Sequence, residues 1–345
     1  MLAPVTDDAL ARLQQQHGTG LTLAHLVDNR LDQLPLPGAG RTLARWRVLA
    51  EVAAHDLSLV KLFEGHTDAL AILQELGAPT SPQGSRWGTW CAEPPDARLA
   101  MNAVPPAEDL AGFHAPDAPQ VRLTGTKAWC SGAATVTHAV VSCWNAADEP
   151  CLAAVTIAPP DVTVTSDGWH AVGMAASGSV DVRFDHVDAA QIGGPGDYVN
   201  RPGFWQGGAG IAACWFGGAL GIARMTWQSS GHAPDAHRLA HLGAIDVALA
   251  AGAAVLRETA AWIDAHPKDD ARRHALRARL VVEQAANEVM HHAGRAVGAG
   301  PMCRNPRFAR AMADLPVFLR QSHAERDLAA LGQQNLHGDT PPWML

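Results

Sequence analysis

No long run of Lys or Arg occurs in this chain of 345 residues, and charged residues make up only 17% of it. With a formal net charge of -8, it lacks the electrostatic footprint of a nucleic-acid-binding protein. None of the six cysteines (Cys91, Cys130, Cys143, Cys151, Cys214, Cys303) stands in a Cys-x-x-Cys pair. Reduced thiols are therefore expected, not a disulfide framework or a zinc ribbon. His-Glu-x-x-His and Cys/His ligand spacings are absent too. The adjacent His291 and His292 point about 100° apart on a helix, so no metal is expected. There is no Gly-x-Ser-x-Gly elbow of a hydrolase. No positively charged start followed by an apolar core marks a secretory leader. The longest apolar stretch, Ile211 to Met225, is broken by glycines and Arg224 and is short for a bilayer. The expectation is a cytoplasmic protein with neither a nucleic-acid nor a membrane partner.

What is present is a globular composition, 48% hydrophobic, long enough for two or three units. Residues 1–83 read as helical. Between Arg41 and Leu76 the apolar positions Leu49, Val52, Leu59, Leu62, Leu70 and Leu73 recur at helical spacing, with Gly65 as the expected break. Residues 84–196 change texture. His138–Trp144, Cys151–Ile157, Val162–Thr165 and Ser179–Val187 are β-rich and separated by Gly, Pro, Asp and Asn, which suits a small antiparallel barrel or sandwich. Gly193-Gly194-Pro195-Gly196 is the natural linker. Residues 197–345 return to long helices. One carries Leu242, Ile245, Leu249, Leu256 and Ile263 on a face, and the next carries Ala278, Val282, Ala285, Val289 and Ala293, as in a bundle. Gly208-Ala209-Gly210 faintly mimics a dinucleotide motif. No strand pattern precedes it, so a Rossmann reading is rejected.

Three segments carry more information: Trp90-Cys91-Ala92-Glu93-Pro94, Leu123-Thr124-Gly125-Thr126-Lys127-Ala128-Trp129-Cys130-Ser131-Gly132, and Gly173-Met174-Ala175-Ala176-Ser177 running into Val182-Arg183-Phe184-Asp185-His186-Val187. In this order they resemble the flavin-binding middle part of the acyl-CoA dehydrogenase family. The resemblance implies an α+β multidomain fold: an N-terminal helical domain, a middle β-barrel or sandwich, and a C-terminal helical bundle. It implies FAD, whose ring needs an apolar wall and donors at its polar edges. Trp129 would lie against the ring and the Ser131 hydroxyl near N5, with Cys130 between them, while the backbone of Cys91 and Ala92 would meet the pyrimidine edge. Ala92 replaces the family's Thr. Gly294 falls in a loose match to the family's adenine-binding glycine segment, and Arg238 is a candidate for the pyrophosphate. The shared flavin site of the family and the small-residue helix faces imply a homodimer or homotetramer.

The family's catalytic Glu has no counterpart. Its two alternative positions fall on Ile211 and on Leu331 or Ser322. His323, beside Ser322, is the one neighbouring group with a pKa suited to proton transfer. Three readings follow. The first is α,β-dehydrogenation of an acyl thioester carried by CoA or an acyl-carrier protein, with an unidentified electron acceptor. The second is a flavin-dependent monooxygenase on the same fold. The third is a non-catalytic flavin or acyl-carrier binding protein.

Overall fold

The computed structural model describes residues 20–78, 81–104, 118–158, 160–231 and 235–336, with Ala11, Leu13 and Trp343 besides. The first helical part consists of α1 (Leu23–Asp28), α2 (Thr42–His55) and α3 (Leu57–Glu75). The break in the long apolar pattern falls at Asp56, not at Gly65. Asp56 is extended (φ -157°, ψ 124°), and its carboxylate accepts from the Leu59 N–H at 2.7 Å, satisfying one donor that a new helix leaves open. Gly65 stays inside α3. Its carbonyl accepts from Thr89 Oγ1 at 2.7 Å, and the missing side chain lets α3 lie close along the first strand.

Seven strands follow: β1 (Trp87–Trp90), β2 (Leu99–Ala103), β3 (Gln120–Cys130), β4 (His138–Trp144), β5 (Pro150–Thr156), β6 (Val162–Val164) and β7 (Val180–Ile192). β2, β3, β7, β5 and β4 pair in that order, and β4 touches β2 again through Ala100 and Trp144, closing a ring. β6 flanks β7, and β1 flanks β4. The sheet is not wholly antiparallel, because β1 and β2 both run parallel to β4. The intervening chain is long enough for the crossover that a parallel pair requires.

Alternate residues of β4, β5 and β7 face two different cores. Ala139, Val141, Ala153 and Val155 belong to the main core. Val140, Leu152, Ala154 and Ala190 pack on Ala69, Ile72 and Leu73 of α3. Burial on both faces explains why these strands read as unbroken apolar runs.

The second helical part contains α4 (Asp197–Asn200), α5 (Pro202–Ser229), α6 (Ala236–Ala265), α7 (Arg272–Val297), α8 (Ala299–Arg304), α9 (Pro306–Phe318) and α10 (Glu325–Asn335). Helix α5 crosses α2 with almost no side chain between them: a Cβ at Gly221 would lie 2.7 Å from Ala54 O. The α7 face of Ala278, Val282, Ala285, Val289 and Ala293 is buried. Both α5 and α6 are long and apolar enough, by length and composition, to cross a membrane. This differs from the reading of Ile211–Met225 alone, because the helices run well past that stretch. The apolar window of α5 is 72% buried and that of α6 only 28%.

Candidate functional site

The ends of β1 and β3 meet. Trp90 Nε1 donates to Ser131 O at 3.1 Å, joining two of the segments singled out above. Between Lys127 and Cys130 the pairing of β3 with β7 slips, and Trp129 adopts a left-handed φ of +56°. For a bulky residue that conformation costs on the order of 1–3 kcal/mol. The bulge sends Lys127 inward, fully buried, and holds the Trp129 side chain out, 52% exposed. A costly turn that presents a large aromatic plate to solvent is the kind of strain associated with ligand contact. Cys130 points into the core, where burial pushes its thiol far up, and its Sγ donates to Lys127 O at 3.1 Å.

Ser131 Oγ lies 2.8 Å from Ser179 Oγ, which lies 2.9 Å from Ser177 Oγ. Gly132 N donates to Ser177 O at 2.7 Å. The third segment thus closes on the second. It is held from below by Asp314 of α9, whose carboxylate accepts from Met174 N at 2.5 Å.

The turn after β1 is fixed by an ion pair between a fully buried lysine and a partly exposed glutamate. Lys127 Nζ donates to Glu93 Oε1 at 2.5 Å and to Ser142 Oγ at 2.7 Å. Ser142 Oγ donates to the same carboxylate, and Trp144 Nε1 donates to Glu93 Oε2 at 2.9 Å. Burial alone would raise the Glu93 carboxyl, but these bonds outweigh it and hold the carboxyl below its ordinary value. Among the described residues, no acceptor takes the backbone N–H of Ala92 or Glu93. Cys91 is sequestered, its thiol pushed up to about 12 by burial. An aromatic plate, a string of hydroxyls and two open backbone donors fit a flat ring with polar edges. Trp129 would cover the ring, Ser131 would meet its central edge, and Ala92 and Glu93 would meet its pyrimidine edge.

Helix α3 passes behind this face. A Cβ at Gly132 would lie 2.7 Å from Leu62 Cγ, and the Asp68 charge reaches Cys91 and Tyr198. Lys61, Glu64 and Asp68, three and four residues apart, share the polar side of α3. Lys61 Nζ is 3.3 Å from Glu64 Oε2, with side chains 18% and 13% exposed. Across from them, α5 presents glycines: a Cβ at Gly207 would lie 3.0 Å from Asp68 Oδ1, and at Gly208 it would meet nothing within 4 Å. Arg279 of α7 ties this end of α5 to the segment after α9. Its guanidinium donates to Gly208 O at 3.1 Å and to Gln321 O at 2.9 Å. Buried Arg45 of α2 donates to Thr67 Oγ1 at 3.1 Å. Burial pushes the Glu64 carboxyl up and the Asp68 charge adds to the push, against the pull of Lys61 and Arg45.

Sequence reasoning did not single out Glu64. Its signal was three polar residues at helical spacing in an otherwise apolar helix. The residues it did weigh for proton transfer lie elsewhere. His323 is at the start of α10 with its side chain 63% exposed and its Nδ1 3.5 Å from Asp327 Oδ1. Ser322 is buried, its hydroxyl accepting from Ala324 N at 3.1 Å. Ile211 is buried on α5, and Leu331 is half-buried on α10. Arg238 Nε donates to Ala296 O at 3.0 Å, and a Cβ at Gly294 would lie 3.9 Å from Met312 Cε. These contacts tie both residues to the α7–α9 side of the bundle.

No protein-family model matches the chain, and no curated protein matches it. Solved structures do. Dibenzothiophene monooxygenase TdsC from Paenibacillus sp. A11-2 is 18% identical over 99% of both chains, with a TM-score of 0.75. A complex of TdsC with FMN and indole superposes equally well. The chain has an acyl-CoA dehydrogenase-like fold. KijD3, in complex with FMN and dTDP-3-amino-2,3,6-trideoxy-4-keto-3-methyl-D-glucose, is 19% identical over 97% of this chain and 94% of its own, with a TM-score of 0.74. Methanesulfinate monooxygenase MsuC from Pseudomonas fluorescens is 18% identical over 99% of both chains, with a TM-score of 0.69. In the acyl-CoA dehydrogenase-like fold of this chain, the joined ends of β1 and β3 gather the open donors and the exposed aromatic in one place.

Proposed function

We propose that the protein is a flavin-dependent monooxygenase that uses FMN. The observation that carries this reading is the Trp129–Ser131 bulge beside the open Ala92–Glu93 turn, in a fold whose two acid positions hold Ile211 and Leu331 or Ser322. A dehydrogenase needs a carboxylate at the substrate α-carbon, and neither position supplies one. FMN is favoured over FAD because the TdsC and KijD3 complexes named above contain FMN, and because Arg238, the candidate for a pyrophosphate, is already bonded within the bundle.

Bound at the β1–β3 face, a reduced flavin supplies two electrons and activates dioxygen, so that one oxygen atom enters the substrate and the other leaves as water. The residues of this chain bind and orient. Trp129 walls the ring, the Ser131–Ser179–Ser177 hydroxyls settle their protons around its edge, and the Glu93–Lys127 pair fixes the turn that offers backbone donors. Leu62 and α3 shield the far side from solvent. Binding of FMN and FAD is compared by fluorescence titration, and the reduced protein is then mixed with dioxygen or with an acyl-CoA series. Tighter binding of FMN and reaction with dioxygen are expected. Rapid bleaching of the oxidised protein by an acyl-CoA overturns the reading in favour of a dehydrogenase, and failure to bind either flavin overturns it altogether.

We also propose that copies associate through α6, as a homodimer or homotetramer. Leu239 and Val247 are 54% and 70% exposed. A groove of about 470 Å³ between α6 and α7, lined by Gly243, Ala244, Val247 and Ala285, leaves room for side chains of a second copy. Light scattering is expected to show a multimer for the wild type and a smaller species for Val247→Asp. A monomeric wild type rejects the proposal.

A further inference from the structure

We infer that Ser131 offers the flavin ring an acceptor and not a donor, and that the protein therefore holds reduced FMN more tightly than oxidised FMN. This rests on the flavin reading above, with Ser131 at the central edge of the ring, and adds the direction in which the hydroxyl protons run.

Three contacts link the hydroxyls into one chain. Ser131 Oγ lies 2.8 Å from Ser179 Oγ, Ser179 Oγ lies 2.9 Å from Ser177 Oγ, and Ser177 Oγ lies 2.8 Å from Met174 O. Each hydroxyl has one proton to give. Three protons fill three contacts in one way only, because the chain ends on a carbonyl, which cannot donate. Ser177 gives its proton to Met174 O, Ser179 gives to Ser177, and Ser131 gives to Ser179. Any other order leaves two of these oxygens in contact with no proton between them. Ser177 and Ser179 are buried, where such a contact is costly. The closed end of the chain is held firmly. Met174 has a left-handed φ of +60°, and its N–H donates to Asp314 Oδ1 at 2.5 Å. Its carbonyl also accepts from Trp169 Nε1 at 3.2 Å and from Ser177 N at 3.0 Å. The open end is Ser131, whose Oγ is left with lone pairs for a ligand.

On the central edge of an oxidised flavin, N5 is a bare acceptor, and two-electron reduction places a hydrogen on it. The Ser131 oxygen pairs with that N–H and opposes the bare nitrogen. To bond the oxidised ring, Ser131 must withdraw its proton from Ser179, and the chain loses a bond. The preference is therefore the worth of one hydrogen bond, about 10-fold in affinity. Ser131 tells the two states apart, and Ser177 and Ser179 act through it as positioning residues. The ring is held hardest in the state that meets dioxygen and more loosely once it is oxidised.

Affinities for oxidised FMN and for dithionite-reduced FMN are measured by tryptophan fluorescence under nitrogen, and the midpoint potential of bound FMN by reductive titration beside a reference dye. The wild type is expected to favour reduced FMN. In Ser131→Ala that preference should fall about 10-fold, which lowers the two-electron potential by about 30 mV. Ser177→Ala lies two contacts from the ring and removes the outlet of the chain. Ser179 must then donate to Ser131, whose proton turns to the ring, so the preference should reverse toward oxidised FMN. Damage to the fold weakens both states alike and leaves their ratio unmoved. A wild type that favours oxidised FMN, or a ratio unchanged in Ser131→Ala or in folded Ser177→Ala, overturns the assignment. Failure of FMN to bind in either state overturns the functional reading instead.

Discussion

The barrel and the helical part each hold a glutamate–lysine pair, and the two glutamates are shifted in opposite directions. Glu93 on the barrel side meets three donors, from Lys127, Ser142 and Trp144, and its carboxyl is held down. Glu64 on the helical side has one lysine at 3.3 Å and a second carboxylate a turn away, and its carboxyl is pushed up. Glu64 is the more deeply buried of the two, its side chain 13% exposed against 32% for Glu93, so desolvation pushes it harder. The number of hydrogen bonds to the charged form separates them in the same direction. Three donors make Glu93 a permanent anion that fixes a turn. One donor, a like charge and deeper burial push the Glu64 carboxyl the other way.

The sharpest way to break this contrast is Lys127→Met. It leaves Glu93, its side chain 32% exposed, without its main partner, and a loss of about 1–3 kcal/mol is expected in urea denaturation. An unchanged midpoint would mean that Ser142 and Trp144 alone hold the turn. Next comes pH. The stabilisation from Glu93 is present above the carboxylate pKa of the unfolded chain and is lost as pH falls through the depressed folded value. The contribution of Glu64 has the reverse sign: it is present below the unfolded pKa and lost as pH rises through the raised folded value. Stability measured against pH should therefore lose part of its acid limb in Glu93→Gln, whereas Glu64→Gln should gain relative to wild type on the alkaline side. Parallel curves for the two variants would erase the distinction.

Smaller effects separate binding from proton handling. Trp129→Ala should weaken FMN binding by about 1–3 kcal/mol and leave the denaturation midpoint nearly unmoved, because half of that side chain contacts no protein. A large drop in stability with unaltered flavin affinity would make Trp129 a structural residue. Ser131→Ala should cost about 1 kcal/mol of affinity for reduced FMN, read in the same titration. An equal loss in Ser179→Ala would show that the hydroxyls act as a chain.

The order of helices, barrel and helices was legible from texture, and so was the buried stripe of α7, because those features repeat within one element. The break at Asp56 was legible in principle, since an Asp before an apolar run is a helix start. It was missed because Gly65 looked the stronger interruption. In the fold that glycine serves close packing on Thr89. The parallel pairing of β1 with β4 depends on residues about fifty positions apart, and no local pattern records it. Glu64 was obscure for a related reason. A glutamate three residues after a lysine on a helix reads as a solvated pair, and only the apposed glycines of α5 and the barrel turn it into an interior group. His323 is the converse case: its side-chain chemistry suited a base, but its backbone places it at the outer start of α10.

The chain has three lysines, Lys61, Lys127 and Lys268. Lys127 is fully enclosed and Lys61 nearly so, while Lys268 lies exposed in the connection between α6 and α7. Amine-directed acylation of the native protein should therefore mark Lys268 almost alone among its side chains, giving a ready attachment point for a dye or a surface. Slow labelling of Lys127 would then serve as a clock, counting each occasion on which the barrel parts from the turn that Glu93 anchors.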